Sequence, residues 1–423
     1  MVHFDSLQGW LSWQESLHPQ AIDLGLERVM RVFRALQPDY RKPLTITVAG
    51  TNGKGSCVAY LEAIYRAQGY RVGTYTSPHI LTYNERIKID GLPVDDGVIC
   101  AAFERIEAVR QGVSLSYFEF GTLAALDIFA RLMLDVQLLE VGLGGRLDAV
   151  NIVDPDVAMI SSIGIDHAEW LGGTRELIAR EKAGILRRGT PAIIGDPEPP
   201  DSIAEYAAEI GASVSFIGRD FGYRHDRLHW QWWLGDDNTI DRLPEPNLKG
   251  EHQYRNAAAV IAAVNYLSAR LPVETPAIEH GLRTVQLTGR FQWIDGEIPV
   301  LLDVAHNPQA AQTLVNYIQE YHPTKRIHAI FTMMKDKDIA SVLDIMKPVV
   351  QHWYFAPLAN NSRCITEPAM RVFFERCKIS SVEFGFSGWQ EAFEQARSYA
   401  VQDDLILIFG SFFLVAEYLA GLT

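Results

Sequence analysis

The sequence predicts an α/β protein with two domains, each built on a mostly parallel β-sheet. Short apolar runs alternate with helical segments from about residue 44 onward. Such alternation is typical of a parallel sheet that is covered by helices on both faces. A second series of the same kind begins near Gln292. A chain of 423 residues is long enough for two domains of ordinary size.

The strands of the first series are predicted from apolar, β-branched runs, and the first helix from its spacing. Cys57, Leu61 and Ile64 share one helical face, and Gly69 ends that helix. The run HWQWWL, GDDN, TIDRL at residues 229–243 predicts a β-hairpin at the edge of the domain. The predicted strands are residues 44–49, 71–76, 136–141, 157–163 and 192–194, and a helix is predicted at 256–267.

The second series supplies the smaller domain. We place the boundary between residues 286 and 287, so that residues 1–286 form the first domain and residues 287–423 the second. The predicted strands of the second domain are residues 300–304, 327–332, 352–356 and 405–409.

The charge and the apolar runs of the sequence limit the kinds of partner that the protein is expected to bind. The net charge of −14 disfavours general attraction to nucleic acid or to anionic membranes. No apolar run approaches the roughly 20 residues needed to span a bilayer, and residues 1–13 lack a secretory pattern. The four cysteines are scattered without a CxxC pair, which indicates reduced thiols. We therefore expect a cytoplasmic protein that binds neither nucleic acid nor membrane.

A glycine-rich loop joins the first strand to the first helix. Residues 49–56 read AGTNGKGS, so backbone N–H groups and the helix N-terminus can surround phosphate oxygens. Lys54 adds a positive charge, and Ser56 can reach a Mg²⁺ ion. The spacing departs from the usual phosphate loop: Val48 takes the place of the first glycine, and Gly55 separates Lys54 from the hydroxyl. The alternative is a glycine-rich turn without a ligand.

This variant loop resembles that of the Mur ligase superfamily, and in particular its dihydrofolate synthase/folylpolyglutamate synthase branch. The resemblance continues along nearly the whole chain, in one order. The motifs are DLGLERV at 23–29, TSPH at 76–79, FEFGT at 118–122, EVGLGGRLDAVN at 140–151, DH at 166–167, EKAGI at 181–185, GRFQ at 289–292, DVAHNP at 303–308, KDKD at 335–338 and GSF at 410–412.

The resemblance implies a P-loop-type first domain, a Rossmann-like C-terminal domain, and an ATP-dependent ligase. Such an enzyme joins L-glutamate to dihydropteroate, and to reduced folates that already carry glutamate, through an acyl phosphate. The implied cofactors are ATP and two Mg²⁺ ions, and the implied oligomeric state is a monomer. DLGLERV and LDAVN favour the bifunctional type over a synthase that only extends existing chains. The glutamate-binding residues are not assigned.

Candidate metal ligands stand at strand ends. Ser77, Glu140 and His167 each follow or close a predicted strand, and ligands of open parallel sheets bind beyond the carboxyl ends of strands. The resemblance implies Ser77 and Glu140 on one Mg²⁺, and Glu140 and His167 on a second. It also implies that Lys182 is carbamylated and acts beside the second ion. The residues alone also allow a turn-capping Ser77, a solvated Glu140, a loop histidine at 167 and a surface lysine at 182.

The ATP site is expected to combine the phosphate loop with residues farther along the chain. Asn256 resembles the family residue that meets the nucleotide, and Arg290 can bind a phosphate as a planar fork. For Arg290 the alternative is an interdomain salt bridge. Domain closure would exclude water from the acyl phosphate. The candidate nucleotide-binding residues are Asn52, Gly53, Lys54, Gly55, Ser56, Asn256, Arg290, Asp303 and His306.

The resemblance implies that three segments bind the pterin ring of the acceptor. Aromatic side chains can cover a flat ring, and a few polar groups can fix its edge. The residues alone also allow Asp23 as a helix N-cap and the aromatic side chains as core. The candidate residues are Asp23, Leu24, Gly25, Leu26, Ser116, Tyr117, Phe118, Glu119, Leu147, Asp148 and Ala149.

Three rival functions remain open at this point. A cell-wall peptide ligase of the same superfamily usually carries a nucleotide-sugar domain before the loop, and the 49 residues before Gly50 are too few for one. A P-loop kinase or nucleotide switch would show the standard loop spacing. A binding protein without catalysis would not need both Lys54 and Glu140.

Overall fold

The computed structural model describes residues 3–18, 20, 22–225, 229–358 and 361–422. The chain divides into two compact units. The first consists of Met1–Ile163, Gly173–Asn247 and Tyr254–Val285, and the second of Gly164–Gly172, Leu248–Gln253 and Gln286–Thr423. Two internal segments of the predicted first domain thus belong to the second unit. The boundary between the two functional domains, placed between residues 286 and 287, stays a prediction.

Eight strands among the described residues form the main sheet of the first unit, in the order β4-β3-β2-β5-β1-β6-β7-β8. The pairs from β2 to β8 are parallel, and β3 and β4 are antiparallel at one edge. The strands are β1 (Leu44–Ala49), β2 (Val72–Tyr75), β3 (Ile87–Ile89), β4 (Leu92–Pro93), β5 (Val136–Glu140), β6 (Val157–Ile160), β7 (Pro191–Ile194) and β8 (Ser213–Phe216).

The five predicted strands of the first series are confirmed, with small differences at their ends. The predicted hairpin is also confirmed, and a further strand extends it into a separate antiparallel sheet of β9 (Phe221–His225), β10 (Trp230–Leu234) and β11 (Asn238–Leu243). The sequence analysis did not predict β3, β4, β8 or β9.

Helices cover the main sheet, and two of them pack closely. A Cβ atom built at Gly281 would lie 2.5 Å from Ile64 Cγ1 and 2.8 Å from the backbone N of Ile64. The helices up to residue 284 are α1 (Leu7–Leu17), α2 (Glu27–Leu36), α3 (Lys54–Ala67), α4 (Asp96–Val109), α5 (Tyr117–Arg131), α6 (Ala168–Leu171), α7 (Arg175–Ala183), α8 (Asp201–Ile210), α9 (Glu251–Tyr266) and α10 (Thr275–Thr284), with 3-10 helices at Tyr83–Arg86 and Ala149–Ile152. The packing of α10 on α3 therefore requires a residue without a side chain at position 281.

The second unit carries its own sheet, in the order β12-β13-β17-β14-β15-β16. Strand β12 is antiparallel to β13, and the other pairs are parallel. Its later elements are β12 (Gln292–Ile294), β13 (Val300–Asp303), α11 (Pro308–Tyr321), β14 (Ile327–Phe331), α12 (Ile339–Met346), β15 (Val350–Phe355), α13 (Glu367–Arg376), β16 (Val382–Glu383), α14 (Trp389–Tyr399), β17 (Leu405–Phe409) and α15 (Phe412–Ala420). The four predicted strands are confirmed, and so is the fold class of two α/β units.

Arg326, His328 and Asp404 form an ion-pair cluster in the second unit, where β14 and β17 begin. Arg326 donates to both carboxylate oxygens of Asp404, at 3.1 and 2.9 Å. Buried His328 lies 3.1 Å from the same carboxylate. The hydrogen bond from Arg326 and then the other donors lower the pKa of Asp404 to about 2. This cluster joins two neighbouring strands of the sheet.

Among the described residues, every helix is too short or too polar to span a bilayer.

Candidate active site

The phosphate loop lies where the sequence predicts it, between β1 and α3. Gly53 takes the left-handed conformation, with φ +86°, immediately before α3 begins at Lys54. Lys54 Nζ donates to the carbonyl oxygens of Gly50 at 3.0 Å and of Thr51 at 3.3 Å. The lysine therefore folds back over the loop, in the region where a phosphate group would be bound.

Two serines after β6 support this loop. Ser161 Oγ and Ser162 Oγ both donate to the carbonyl oxygen of Asn52, at 2.6 and 3.0 Å. Asn52 N in turn donates to Ser162 Oγ at 3.1 Å. These bonds fix the direction of the loop backbone, and the sequence analysis missed both serines because nothing in the loop motif indicates them.

The predicted nucleotide residue Asn256 contacts the loop. It is buried on α9, and a Cβ atom built at Gly53 would lie 2.8 Å from Asn256 Oδ1. Glycine at position 53 therefore gives both the positive φ and the space that the asparagine occupies. The structure thus brings together Asn52, Gly53, Lys54, Gly55, Ser56 and Asn256.

Glu140 ends β5 directly beside the phosphate loop. Strands β1 and β5 are parallel, with Val48 opposite Glu140. The Glu140 side chain is only 5% exposed, so it is not a solvated strand end, and its Oε2 accepts from Ser77 N at 3.1 Å. Burial, and then the charge of Glu140, raises the pKa of the Cys57 thiol to about 12. A buried carboxylate and Ser77 therefore meet near the loop.

Lys182 is buried rather than a surface charge. It is 4% exposed, near the end of α7, and its Nζ donates to the carbonyl oxygen of Gly50 at 2.9 Å. The same oxygen accepts from Lys54. Lys182 therefore contacts the loop that carries Lys54, although the two lysines lie far apart in sequence.

The residues at this edge of the sheet fit a magnesium ion. Ser56, Ser77 and Glu140 offer the oxygen atoms that Mg²⁺ prefers, and Mg²⁺ keeps several waters and needs few protein groups. The described residues contain no group of three or more His, Cys, Asp or Glu side chains that could hold a metal. The donor set thus suits an ion that also binds substrate phosphates, rather than one enclosed by protein.

Arg28 joins two of the predicted acceptor-binding segments. It forms an ion pair with Asp23, and its Nε donates to both carboxylate oxygens of Glu119, at 2.9 and 3.0 Å. Asp23 is not the N-cap of α2, because that position is Leu26. Leu24, Gly25 and Leu26 are half-buried beside it. Arg28 is part of the DLGLERV motif, but nothing in its local sequence indicates that it pairs with Asp23 and Glu119.

The second predicted segment opens α5 with a capping box. Ser116 N donates to Glu119 Oε2 at 2.8 Å, and Glu119 N donates to Ser116 Oγ at 3.3 Å. Arg86 lies over the Tyr117 ring, 5.5 Å from its centre. A Cβ atom built at Gly142 would lie 2.5 Å from Phe118 Cζ. Phe118 therefore packs on the glycine-rich turn that follows Glu140.

The third segment surrounds Asp148, which caps the 3-10 helix that begins at Ala149. Asp148 Oδ2 accepts from Leu143 N at 2.8 Å, and Oδ1 accepts from Val150 N at 3.0 Å. Burial raises the pKa of Asp148 to about 7, although these donors and the charge of Lys54 act in the opposite direction. Leu147 is half-buried and Ala149 is buried. Asp148 thus shapes the turn, and its role toward substrate stays a prediction.

The second unit brings three of the predicted nucleotide residues together. Arg290 stacks over the Phe412 ring at 5.4 Å, and the His306 ring lies 5.7 Å from the same ring. Asp303 accepts from Phe291 N at 3.1 Å and from Ala305 N at 2.8 Å. Burial raises the pKa of Asp303, opposed by the charge of Arg290. The sequence analysis did not single out Phe412 as the residue that Arg290 and His306 share.

His167 also lies in the second unit, within the segment Gly164–Gly172. Lys337 Nζ is 3.3 Å from His167 Nε2 and 2.6 Å from Asp166 Oδ1. Burial would raise the pKa of Asp166, but hydrogen bonding from His306 and the charges of Lys337, His306 and His167 bring it well below its usual range. The joint role of His167 with Glu140 stays a prediction.

Comparisons with known proteins show the family to which the chain belongs. A family model described as "Mur ligase, glutamate ligase domain" matches residues 289–412. The dihydrofolate synthase/folylpolyglutamate synthase of Escherichia coli K12 is 42% identical over 415 residues, which are 97% of this chain and 94% of that protein.

Two solved structures extend the similarity to the whole fold. E. coli FolC in complex with DHPP and ADP is 41% identical with a TM-score of 0.93, covering 100% of this chain and 99% of that one. A bifunctional folylpolyglutamate synthase/dihydrofolate synthase with Mn, AMPPNP and L-glutamate bound is 42% identical with a TM-score of 0.90, covering 99% and 98%. The chain therefore belongs to the dihydrofolate synthase/folylpolyglutamate synthase family, which consists of ATP-dependent, amide-forming ligases of the Mur type.

Proposed function

We propose that this enzyme joins the amine of L-glutamate to dihydropteroate, and to reduced folates that already carry glutamate, with release of ADP and phosphate. We further propose that residues 1–286 serve as the ATP-binding domain and residues 287–423 as the ligase domain of a cytoplasmic monomer. Among the relatives, one structure holds DHPP with ADP, and another holds Mn, AMPPNP and L-glutamate.

One observation carries the proposal: the phosphate loop and the buried carboxylate of Glu140 end adjacent parallel strands. Val48 pairs with Glu140 in register, so the two ends meet at the same edge of the sheet. Lys54, Ser77 and Lys182 all make hydrogen bonds at this edge. Cationic, hydroxyl and carboxylate groups thus converge where a triphosphate and its metal would be needed.

The proposed reaction has two steps, and the residues of the chain serve both. The acceptor carboxylate first bonds to the γ-phosphorus of ATP and ADP departs; the glutamate amine then displaces phosphate from the acyl carbon and loses a proton. Lys54 and the loop N–H groups would bind the transferred phosphoryl group and stabilise its charge. Asn256, Arg290, Asp303 and His306 would hold the nucleotide.

We assign the metal ligands as in the sequence analysis. Ser77 and Glu140 would hold one Mg²⁺, and Glu140 and His167 a second, with Lys182 beside it; Ser56 would be within reach of an ion. The ions would supply positive charge that screens the phosphate oxygens from the approaching carboxylate. Glu140 would keep its carboxylate charged and oriented through the Ser77 N–H.

The acceptor would be held by the three segments around Arg28. Asp23 and Glu119, which Arg28 joins, and Asp148 would fix the polar edge of the pterin. Tyr117 and Phe118 would cover its face, with Leu24, Gly25, Leu26, Ser116, Leu147 and Ala149 completing the surface. Because Arg28 forms ion pairs with both Asp23 and Glu119, their carboxylates stay oriented without substrate.

We propose that Lys182 is carbamylated. Its neutral amine would bond to the carbon of CO₂ and release one proton, which replaces a buried cation by an anionic oxygen ligand. We expect enzyme equilibrated with ¹³C-bicarbonate to show a carbamate carbon signal by NMR that is absent from Lys182→Gln. A wild-type spectrum without that signal, at saturating bicarbonate, would contradict the modification.

The function itself is tested by incorporation of radiolabelled glutamate in the presence of ATP and Mg²⁺. Dihydropteroate and a reduced folate are offered separately, and we expect incorporation with each. Incorporation with the reduced folate alone would identify a folylpolyglutamate synthase that only extends chains. Incorporation with neither, together with phosphate release on a UDP-linked acceptor, would assign the enzyme to another branch of Mur-type ligases.

A further inference from the structure

The segment Gly164–Gly172 is separated in sequence from the rest of the unit to which it belongs. It follows β6 and precedes α7, both in the first unit, yet it groups with the second unit. Its only helix is the four-residue α6. A short segment of this kind has little core of its own, so its conformation depends on a small number of side-chain contacts.

Asp166 contacts several polar side chains of the second unit. Its Oδ1 accepts from Lys337 Nζ at 2.6 Å, and its Oδ2 accepts from Asn307 Nδ2 at 3.3 Å. His306 Nε2 lies 3.5 Å from Oδ2. The Asp166 and Lys337 side chains are 11% and 7% exposed. Donors from two motifs of the second unit thus converge on one carboxylate.

These contacts also act on the neighbouring histidine. His167 has φ +52°, a left-handed conformation that is unfavourable for a non-glycine residue and has to be held by its surroundings. Its backbone N donates to Asp166 Oδ1 at 2.8 Å. Lys337 Nζ also lies 3.3 Å from His167 Nε2.

We propose that Asp166 is a positioning residue: held by Lys337, it fixes the backbone of His167, and with it the direction of the side chain, as part of the second unit. The catalytic consequence rests on the proposed function, in which His167 is a metal ligand. The anchoring itself does not, since it stands on the contacts of Asp166. A general stabilising ion pair would affect the whole unit, whereas an anchor affects residues 164–172 alone.

Hydrogen exchange tests the anchoring directly. In Asp166→Asn we expect the amides of residues 164–172 to exchange at least tenfold faster, while those of β13 and β14 keep their rates. The matched control is Asp404→Asn, which removes a charge of the same unit from its contacts with Arg326 and His328. We expect the control to leave residues 164–172 unchanged. Equal exchange in Asp166→Asn and wild type overturns the inference.

Steady-state kinetics then distinguish the anchoring of residues 164–172 from the proposed metal binding by His167. For Asp166→Asn we expect kcat to fall about 10²-fold and the Mg²⁺ concentration for half-maximal rate to rise about tenfold. The KM for ATP should stay within threefold, and Asp166→Glu should recover part of kcat. Faster exchange with an unchanged Mg²⁺ requirement supports the anchor and contradicts the proposed metal role of His167. Loss of exchange protection throughout the second unit overturns the inference in favour of a general structural role.

Discussion

Glu140→Gln is expected to lower the rate of glutamate ligation by about 10³-fold, the upper range for removing one charge-stabilising group from an active site. Glutamine keeps the shape of the side chain and can still accept from Ser77 N. It removes the negative charge at the end of β5, on which both proposed magnesium sites depend. The measurement is the initial rate of glutamate incorporation at saturating ATP and Mg²⁺, with the melting temperature recorded for each variant.

The matched control is Glu62→Gln, on helix α3. Burial raises the pKa of Glu62, and its Oε1 lacks a hydrogen-bond partner among the described residues, so an amide should be accepted there. We expect this control to retain a rate within twofold of wild type. If Glu140→Gln also kept a rate within tenfold, the assignment of Glu140 as a metal ligand would be wrong.

Lys54→Met is expected to lower kcat/KM for ATP by about 10²-fold. The substitution keeps much of the length and apolar stem but removes the ammonium that the loop holds near the helix N-terminus. A hydrogen bond to a charged group contributes up to about 3 kcal/mol, which corresponds to about 10²-fold in rate. Steady-state kinetics with varied ATP and isothermal titration with an ATP analogue would show whether binding, turnover or both are affected.

Lys42→Met is the control at the other end of the same strand. Lys42 precedes β1 and donates to Asp156 Oδ2 at 2.8 Å, so its loss disturbs the sheet but not the loop. We expect kcat/KM for ATP to stay within twofold of wild type. Equal losses in the two variants would mean that Lys54 supports the fold, and normal ATP kinetics in Lys54→Met would place the phosphates elsewhere.

Most of the parallel strands could be predicted because they are short apolar runs that are largely buried. The phosphate loop could also be predicted, since Gly53 and Lys54 have local reasons to stand at a strand-to-helix junction. Strands β3 and β4 were missed because they are short, lie at an edge and are partly exposed, so they lack a continuous apolar signal. Strand β8 was missed because two of its four residues are serines.

The candidate site was predicted least well for residues whose role depends on a contact with a residue far away in the sequence. Ser161 and Ser162 act on a loop more than 100 residues away in sequence, and Arg28 acts through Glu119 at a similar separation. The burial of Lys182 could not be read from its helix-end pattern, which is common for surface lysines. Likewise, no local pattern indicates that residues 164–172 group with the second unit, because the partners of Asp166 there, Lys337 and Asn307, lie more than 100 residues away in sequence.

A substitution at Gly281 is expected to affect the enzyme, although this residue is not part of the candidate active site. Helix α10 packs on Ile64, in the last turn of α3, whose first residue is Lys54, and the contact allows no side chain at position 281. Since a helix moves nearly as a rigid rod, pressure on its last turn is transmitted to its N-terminus. Natural sequence change at this outer contact can therefore reduce phosphate binding while every residue that touches the nucleotide remains intact.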